Sequence, residues 1–184
     1  MKFLLKTVFI FALVHQSLTA QTLRGLDSSP GDIAYFPDNF AHDRKDGEKA
    51  IFKITYHRPL KKERKIFGSL VPYNEVWRTG ANEAPEIKLY QDVSFAGKQL
   101  KAGTYSLLTI PGENEWTIIF NKDLDYWGAY NYKSANDLLR VQATVKKSEK
   151  TIEAFSIQTA DKGANAGVLY LGWDDTIVEL PFSY

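Results

Sequence analysis

The sequence predicts an all-β protein, a single antiparallel β-sandwich of the jelly-roll or Ig-like type with about eight or nine strands. Three observations predict this fold class. Apolar and polar residues alternate with period two over most of the chain after residue 50. Glycine and proline recur at close spacing between these segments. No stretch of roughly ten residues carries an apolar stripe at helical spacing.

The first twenty residues have the layout of a secretory signal peptide. Lys2 and Lys6 form a basic start, residues 8–14 are continuously apolar, and Thr19 and Ala20 are small. This apolar run is shorter than the ~20 residues that span a bilayer. We therefore expect cleavage near Ala20, export to the periplasm or the cell exterior, and no transmembrane segment afterwards. An uncleaved anchor is the alternative.

The composition excludes several classes of function. Lys plus Arg is 23 and Asp plus Glu is 22, for a net charge of +1, which does not call for a nucleic-acid partner. The chain has 0 Cys, which excludes thiol catalysis, Cys-based zinc sites, disulfides and a lipidated N-terminal Cys. The histidines that follow the leader stand at no metal-ligand spacing. We expect no metal and no cofactor.

Residues 21–184 are predicted to form one domain, whose first part, 21–49, is largely loop because it is rich in Gly, Pro and short polar residues. The first strand is predicted at 51–58, where Phe52 and Ile54 share one face. The remaining predicted strands follow at short intervals: 86–90, 92–95, 105–110, 116–120, 141–145, 152–157, 168–173 and 177–182.

Turn residues predict how these strands connect. Pro111–Asn114 predicts a hairpin, and Asp174-Asp175 predicts a second hairpin between the last two strands. Gly97-Lys98 predicts a turn. The helix candidates are short: 134–139 and part of 60–67.

The segment from Trp77 to Glu83 has the densest set of candidate binding groups. Trp77 could serve as a platform, Arg78 as a fork for a carboxylate, phosphate or sulfate, and Asn82 and Glu83 as orienting groups. A structural interpretation is also open, in which Arg78 pairs with Glu83 or Asp137 while Trp77 fills the core.

Other candidates lie near the end of the first predicted strand. His57 could act as a general base or be an ordinary half-exposed strand residue. Arg58 and Arg64 could join Arg78 in an anion pocket, or each arginine could be paired with its own carboxylate.

Two further candidates lie downstream. Trp127, with Tyr130 and Tyr132, could stack on a sugar or cover one end of the domain. Asp137 could be an acid–base group or form a local ion pair with Arg140.

Several motifs, in order, carry a family resemblance. Residues 72–83 read PYNEVWRTGANE, and matching segments follow. These segments are Gly97-Lys98, Ala102–Ser106, Ile110–Gly112, Glu115–Thr117, Phe120–Lys122, Trp127–Tyr130 and Trp173. The set resembles DUF2911, an uncharacterised bacterial family found mostly in the Bacteroidetes. The resemblance covers nearly the whole chain from residue 29 onward and departs at Asn74, where members often carry Gly. It implies an exported protein of one all-β domain and transfers no catalytic residue.

Three hypotheses of function stay open. The first is a non-enzymatic binding or interaction module for a small anionic or carbohydrate-like ligand, or for a protein partner. The second is a hydrolase-like enzyme that uses His57, Glu83 and Asp137 as acid–base groups. The third is a structural envelope protein in which the arginines are paired internally. No nucleophile elbow, phosphate-binding loop or zinc-protease motif occurs in the sequence.

Overall fold

A computed structural model of the protein describes residues 22–184, so the predicted signal peptide at 1–20 lies outside the described residues. The regular secondary structure of these residues is almost entirely β-strand. These are β1 (Gly31–Phe36), β2 (Phe52–His57), β3 (Glu86–Leu89), β4 (Val93–Phe95), β5 (Lys98–Leu100), β6 (Gly103–Ile110), β7 (Glu115–Asn121), β8 (Asp137–Gly163) and β9 (Ala166–Ser183). A short helix, α1 (Phe40–Asp43), and a 3-10 turn, Ser134–Asn136, complete the set.

All nine strands belong to one antiparallel sheet, in the order β1-β2-β3-β6-β7-β8-β9-β4-β5. The all-β, antiparallel expectation is therefore confirmed. The period-two reading of β2 is also confirmed, because Phe52, Ile54 and Tyr56 are buried while the side chains between them are more exposed.

The core joins the two ends of this sheet. The rings of Phe36 in β1 and Phe182 in β9 lie 4.7 Å apart between centroids, and those of Phe52 in β2 and Phe95 in β4 lie 6.2 Å apart. These strand pairs are distant in the sheet order. The sheet therefore bends so that side chains from distant strands pack together on one face, which removes the aromatic rings from water.

The predicted division of the last third of the chain into four short strands is wrong. Residues 137–163 and 166–183 form one long hairpin, which reverses at residues with positive φ, Gly163, Ala164 and Asn165. The polar segments that suggested turns are instead register shifts, where Ile152 pairs with Asp174. Irregularities that lie opposite each other bend a ladder without ending it, which is the usual effect of a β-bulge.

The other differences are local. β1 and α1 occur inside 21–49, which we predicted as largely loop, and β5 follows Gly97 where only a turn was expected. The helix expected at 134–139 is a 3-10 turn that leads into β8, and 60–67 contains turns without a helix. The sequence pattern did not predict β1, because only Ala34 and Phe36 of this strand are buried. The strand is defined by its pairing with β2.

The turn that follows β2, residues 59–64, is bonded to strand β8. The Phe155 amide donates to the Pro59 carbonyl at 2.9 Å, and the Lys61 amide donates to the Glu153 carbonyl at 2.7 Å. These bonds hold the turn at 59–64 along β8.

Within residues 22–184, the helices are too short and too polar to cross a membrane.

Candidate functional site

The turn at 59–64 and the loop at 77–82 enclose a cavity of about 390 Å³. Four of the predicted site residues line it: Arg64, Trp77, Arg78 and Asn82. The other lining residues are Ser28, Ser29, Pro59, Leu60, Lys62, Leu70, Val71, Gly80, Ala81 and Trp173. Three of the lining side chains are cationic and none is a carboxylate. The cavity therefore favours an anion over a cation.

Arg78 is the least satisfied charged group of this cavity. Its Nε is buried and has no hydrogen-bond partner, and within residues 22–184 its guanidinium forms no salt bridge. It pairs with neither Glu83 nor Asp137, the partners that the structural interpretation offered. Burying a donor without an acceptor costs about 1–3 kcal/mol. An incoming anion would remove that cost.

The other two cations lie at the exposed rim. Arg64 donates through Nε to the Lys61 carbonyl at 2.8 Å and through Nη2 to the Leu60 carbonyl. These bonds hold the turn and leave part of the guanidinium uncommitted. The Lys62 backbone amide is anchored to the Glu153 carboxylate at 2.9 Å, while its ammonium forms no salt bridge with the described residues.

Trp77 forms a rigid wall of the cavity. Its ring is nearly parallel to that of Trp173, at 11° and 6.0 Å between centroids. Phe67, Trp116 and Phe155 pack around it edge-on. Trp77 thus lines the cavity and also joins the core, so the two interpretations drawn from the sequence are compatible.

Backbone bonds fix the loop that carries Arg78. Trp77 and Thr109 of β6 exchange amide–carbonyl bonds of 2.7 and 3.0 Å, and the buried Thr79 hydroxyl donates to that of Thr109 at 3.0 Å. Gly80 follows with φ +139, and a Cβ there would lie 2.9 Å from the His57 carbonyl oxygen. The backbone of Arg78 is therefore held between Trp77, which is bonded to β6, and Gly80, which packs against the His57 carbonyl.

The chain before β1 closes one side of the cavity. The Asn82 side-chain amide donates to Asp27 at 3.1 Å, and the Ser29 amide donates to the same carboxylate oxygen at 2.6 Å. These two bonds lower the pKa of Asp27, with the backbone bond from Ser29 as the larger cause. Asn82 thus holds the segment that contributes Ser28 and Ser29 to the lining.

Arg58 lies outside this cavity and is bonded on several sides. It donates to Asp32 at 3.1 Å, to the Phe155 carbonyl at 3.1 Å and to the Ser156 hydroxyl at 2.8 Å. It therefore joins β1 to β8. Of the three arginines considered together in the sequence, Arg64 and Arg78 line one cavity and Arg58 lies outside it.

His57 and Glu83 line a second cavity, of about 330 Å³, together with Glu86 and Asp125. His57 Nδ1 lies 3.7 Å from Glu83 Oε2, which is too long for a hydrogen bond but close enough for an ion pair. Among residues 22–184, no group of three or more acidic or histidine side chains is arranged to hold a metal ion.

Asp137 is not part of the lining of either cavity. Its carboxylate, with 8% side-chain exposure, accepts bonds from Asn121 at 2.7 Å, Tyr132 at 2.7 Å and Arg140 at 2.6 Å. The bond to Asp137 raises the pKa of Arg140. This matches the local ion pair that the sequence suggested.

Trp127 is 58% exposed, on a loop bonded to residues 82–84. Tyr130 on the same loop is also exposed. Neither ring belongs to the lining of the cavity around Arg78.

Comparison with known proteins gives one match. The family model described as a protein of unknown function, DUF2911, matches residues 38–182. The chain belongs to the DUF2911 family. No curated protein and no solved structure matches it significantly.

The DUF2911 match includes most of the cavity around Arg78. Both loops and Trp173 fall inside the matched range, whereas Ser28 and Ser29 precede it. The family description names no activity, so the roles of these residues rest on their geometry.

Sequence reasoning missed several lining residues of this DUF2911 protein. These residues are Lys62, Leu70, Val71 and Trp173, none of which is among the site residues predicted from the sequence. Their place in the cavity depends on how β8 and β9 pack against the turn at 59–64. Only the basic run at 61–65 could have pointed to the rim.

Proposed function

We propose that this DUF2911 protein is an exported, non-enzymatic binding module that holds a small anionic ligand in the cavity around Arg78. One observation carries the proposal: Arg78 has a buried, unpartnered Nε in a cavity lined by Lys62 and Arg64 and by no carboxylate. A guanidinium fork without an internal partner is suited to a carboxylate, phosphate or sulfate. The cationic rim would attract such a ligand from solution.

The proposal includes the location and the arrangement of the domain. The basic start, apolar run and small residues within 1–20 support export. The contacts of Phe36 with Phe182 and of Phe52 with Phe95 support a sandwich-like arrangement of the bent sheet.

Isothermal titration with sodium phosphate, sodium sulfate and sodium phenylacetate at low ionic strength tests the proposal. We expect at least one of these anions to bind and Arg78→Gln to weaken its affinity at least tenfold. Lys150→Gln is a matched control. Lys150 is exposed and does not line the cavity, so its substitution removes one positive charge elsewhere on the protein. Absence of binding by all three anions, or equal losses in both variants, would contradict the proposal.

A hydrolase-like function is the second candidate, and the proximity of His57 to Glu83 favours it. Both side chains line an open cavity, as a general acid–base pair requires. Its test is hydrolysis of p-nitrophenyl acetate, phosphate and glycosides, compared with His57→Gln and Glu83→Gln. Turnover by the parent protein that is lost in both variants would establish a hydrolase-like function. Absence of turnover by the parent protein on all of these substrates would count against that function. Failure of both the binding and the turnover tests would favour the structural envelope role.

A further inference from the structure

We propose, building on the proposed function, that the ligand is an organic carboxylate with an apolar or aromatic body. The cavity around Arg78 has two chemically distinct parts. Leu60 and Leu70 contribute apolar side chains beside the indole of Trp77, within a lining whose surface is otherwise mostly polar. The volume of about 390 Å³ is near the small end of the range for ligand sites.

The charge of the cavity fits a single carboxylate. The buried Nε of Arg78 has no hydrogen-bond partner, whereas Arg64 uses two of its nitrogens to bind backbone carbonyls. Lys62 lies at the exposed rim. One guanidinium edge of Arg78 matches the two oxygens of a carboxylate, while Arg64 and Lys62 lie farther out, at the exposed rim.

The polar groups of the cavity favour an anion over a neutral sugar. Sugar hydroxyls both donate and accept, so their sites need side-chain acceptors as well as donors. No carboxylate lines the cavity, and its side-chain acceptors are limited to the amide oxygen of Asn82 and the hydroxyls of Ser28 and Ser29. The lining is rich in donors and poor in charged acceptors, which favours an anion.

The apolar part is preorganised. Trp77 is held by Trp173 in a nearly parallel stack and by Phe67 edge-on, so its ring does not have to be ordered when a ligand binds. Leu70, 46% exposed, also lines the cavity. An apolar ligand body that covers Leu70 and Trp77 would remove apolar surface from water at little entropic cost.

Titration of the purified protein with four probes separates the contributions. Phenylacetate carries both the carboxylate and an aromatic body, acetate and phosphate carry charge alone, and benzyl alcohol carries the ring alone. We expect phenylacetate to bind at least tenfold more tightly than each of the others. Arg78→Gln should weaken phenylacetate binding at least tenfold. Leu70→Ser should weaken phenylacetate binding several-fold more than it weakens acetate or phosphate binding.

The outcomes distinguish the two proposals. If phosphate or acetate binds as tightly as phenylacetate and depends on Arg78, the anion site stands and the apolar-carboxylate assignment is overturned. If benzyl alcohol matches phenylacetate, the charge plays no part in phenylacetate binding and the apolar-carboxylate assignment fails. Binding of phenylacetate that is unchanged in Arg78→Gln overturns that assignment as well. In either case the anion site also fails if no phosphate or sulfate binding depends on Arg78. Far-UV circular dichroism of each variant checks that a loss of affinity does not reflect unfolding.

Discussion

Arg58 Nη1 lies 3.1 Å from Asp32 Oδ2, and this ion pair joins the end of β2 to β1. The same guanidinium reaches β8 through the Phe155 carbonyl and the Ser156 hydroxyl. Arg78 differs from Arg58 in that its buried Nε has no hydrogen-bond partner. Among residues 22–184, Arg58 is thus bonded by the fold on several sides, whereas Arg78 forms no salt bridge and its Nε has no partner.

This contrast predicts opposite effects on stability. Arg58→Gln should lower the free energy of unfolding by about 1–3 kcal/mol, because the charged hydrogen bonds to β1 and β8 are lost. Arg78→Gln should change it by less than about 0.5 kcal/mol, or raise it, because no bond is broken. Urea unfolding of the two variants measures this. A loss for Arg78→Gln as large as that for Arg58→Gln would show that Arg78 is structural.

Gly80 gives a second prediction. In Gly80→Ala the new Cβ would lie 2.9 Å from the His57 carbonyl, at a φ of +139 that side chains rarely adopt. Gly97→Ala is a matched control, since Gly97 also has positive φ but no atom within 4 Å of the added Cβ. The control should cost about 1–2 kcal/mol and Gly80→Ala at least about 1 kcal/mol more. Equal denaturation midpoints would show that the loop at 77–82 accommodates the methyl group.

The two tryptophans near the candidate sites should differ in their contribution to stability. Trp77→Ala removes a ring packed against Trp173, Trp116 and Phe155, and we expect a loss of about 2 kcal/mol or more. Trp127 is 58% exposed, so Trp127→Ala should stay within about 0.5 kcal/mol of the parent protein. Thermal and urea unfolding compare them. A costly Trp127→Ala would mean that this ring packs against the protein in solution.

Tyr56 predicts how stability depends on alkaline pH. Burial raises the pKa of Tyr56 to about 12, compared with the ordinary value of 10.0 for a tyrosine. A raised pKa in the folded state means that unfolded chains lose this proton first as pH increases. The stability due to the neutral phenol is therefore complete below pH ~10 and is lost between pH ~10 and ~12.

The variant Tyr56→Phe tests this dependence. At neutral pH it should lose about 1 kcal/mol with the hydrogen bonds to Asp32 and Ile157. Between pH 10 and 12 its free energy of unfolding should fall less steeply than that of the parent protein. Parallel pH profiles would mean that Tyr56 titrates normally.

Local alternation in the sequence was enough to define much of the fold. In β2, alternate residues Phe52, Ile54 and Tyr56 are buried, because successive side chains of a strand point to opposite faces. The hairpin of β6 and β7 follows from the turn chemistry of Pro111–Asn114. Both depend on neighbours in the sequence.

The long strands β8 and β9 could not be predicted in this way. A polar stretch such as 147–152 is typical of a turn, yet it becomes a bulge when another irregular segment lies opposite it, as Asp174 does. Whether a strand ends or bends therefore depends on its partner. β1 depends in the same way on β2.

The sequence by itself determined an all-β antiparallel chain with a leader-like start, and it singled out Arg78 and Trp77 as candidates. The tertiary structure alone decided that Arg58 meets Asp32, that Asp137 is held by Asn121, Tyr132 and Arg140, and that Arg78 has no partner among residues 22–184. The physical reason is range. Periodicity and turn chemistry act between residues close in the sequence, whereas the pairing of a charge depends on segments that only the folded sheet brings together.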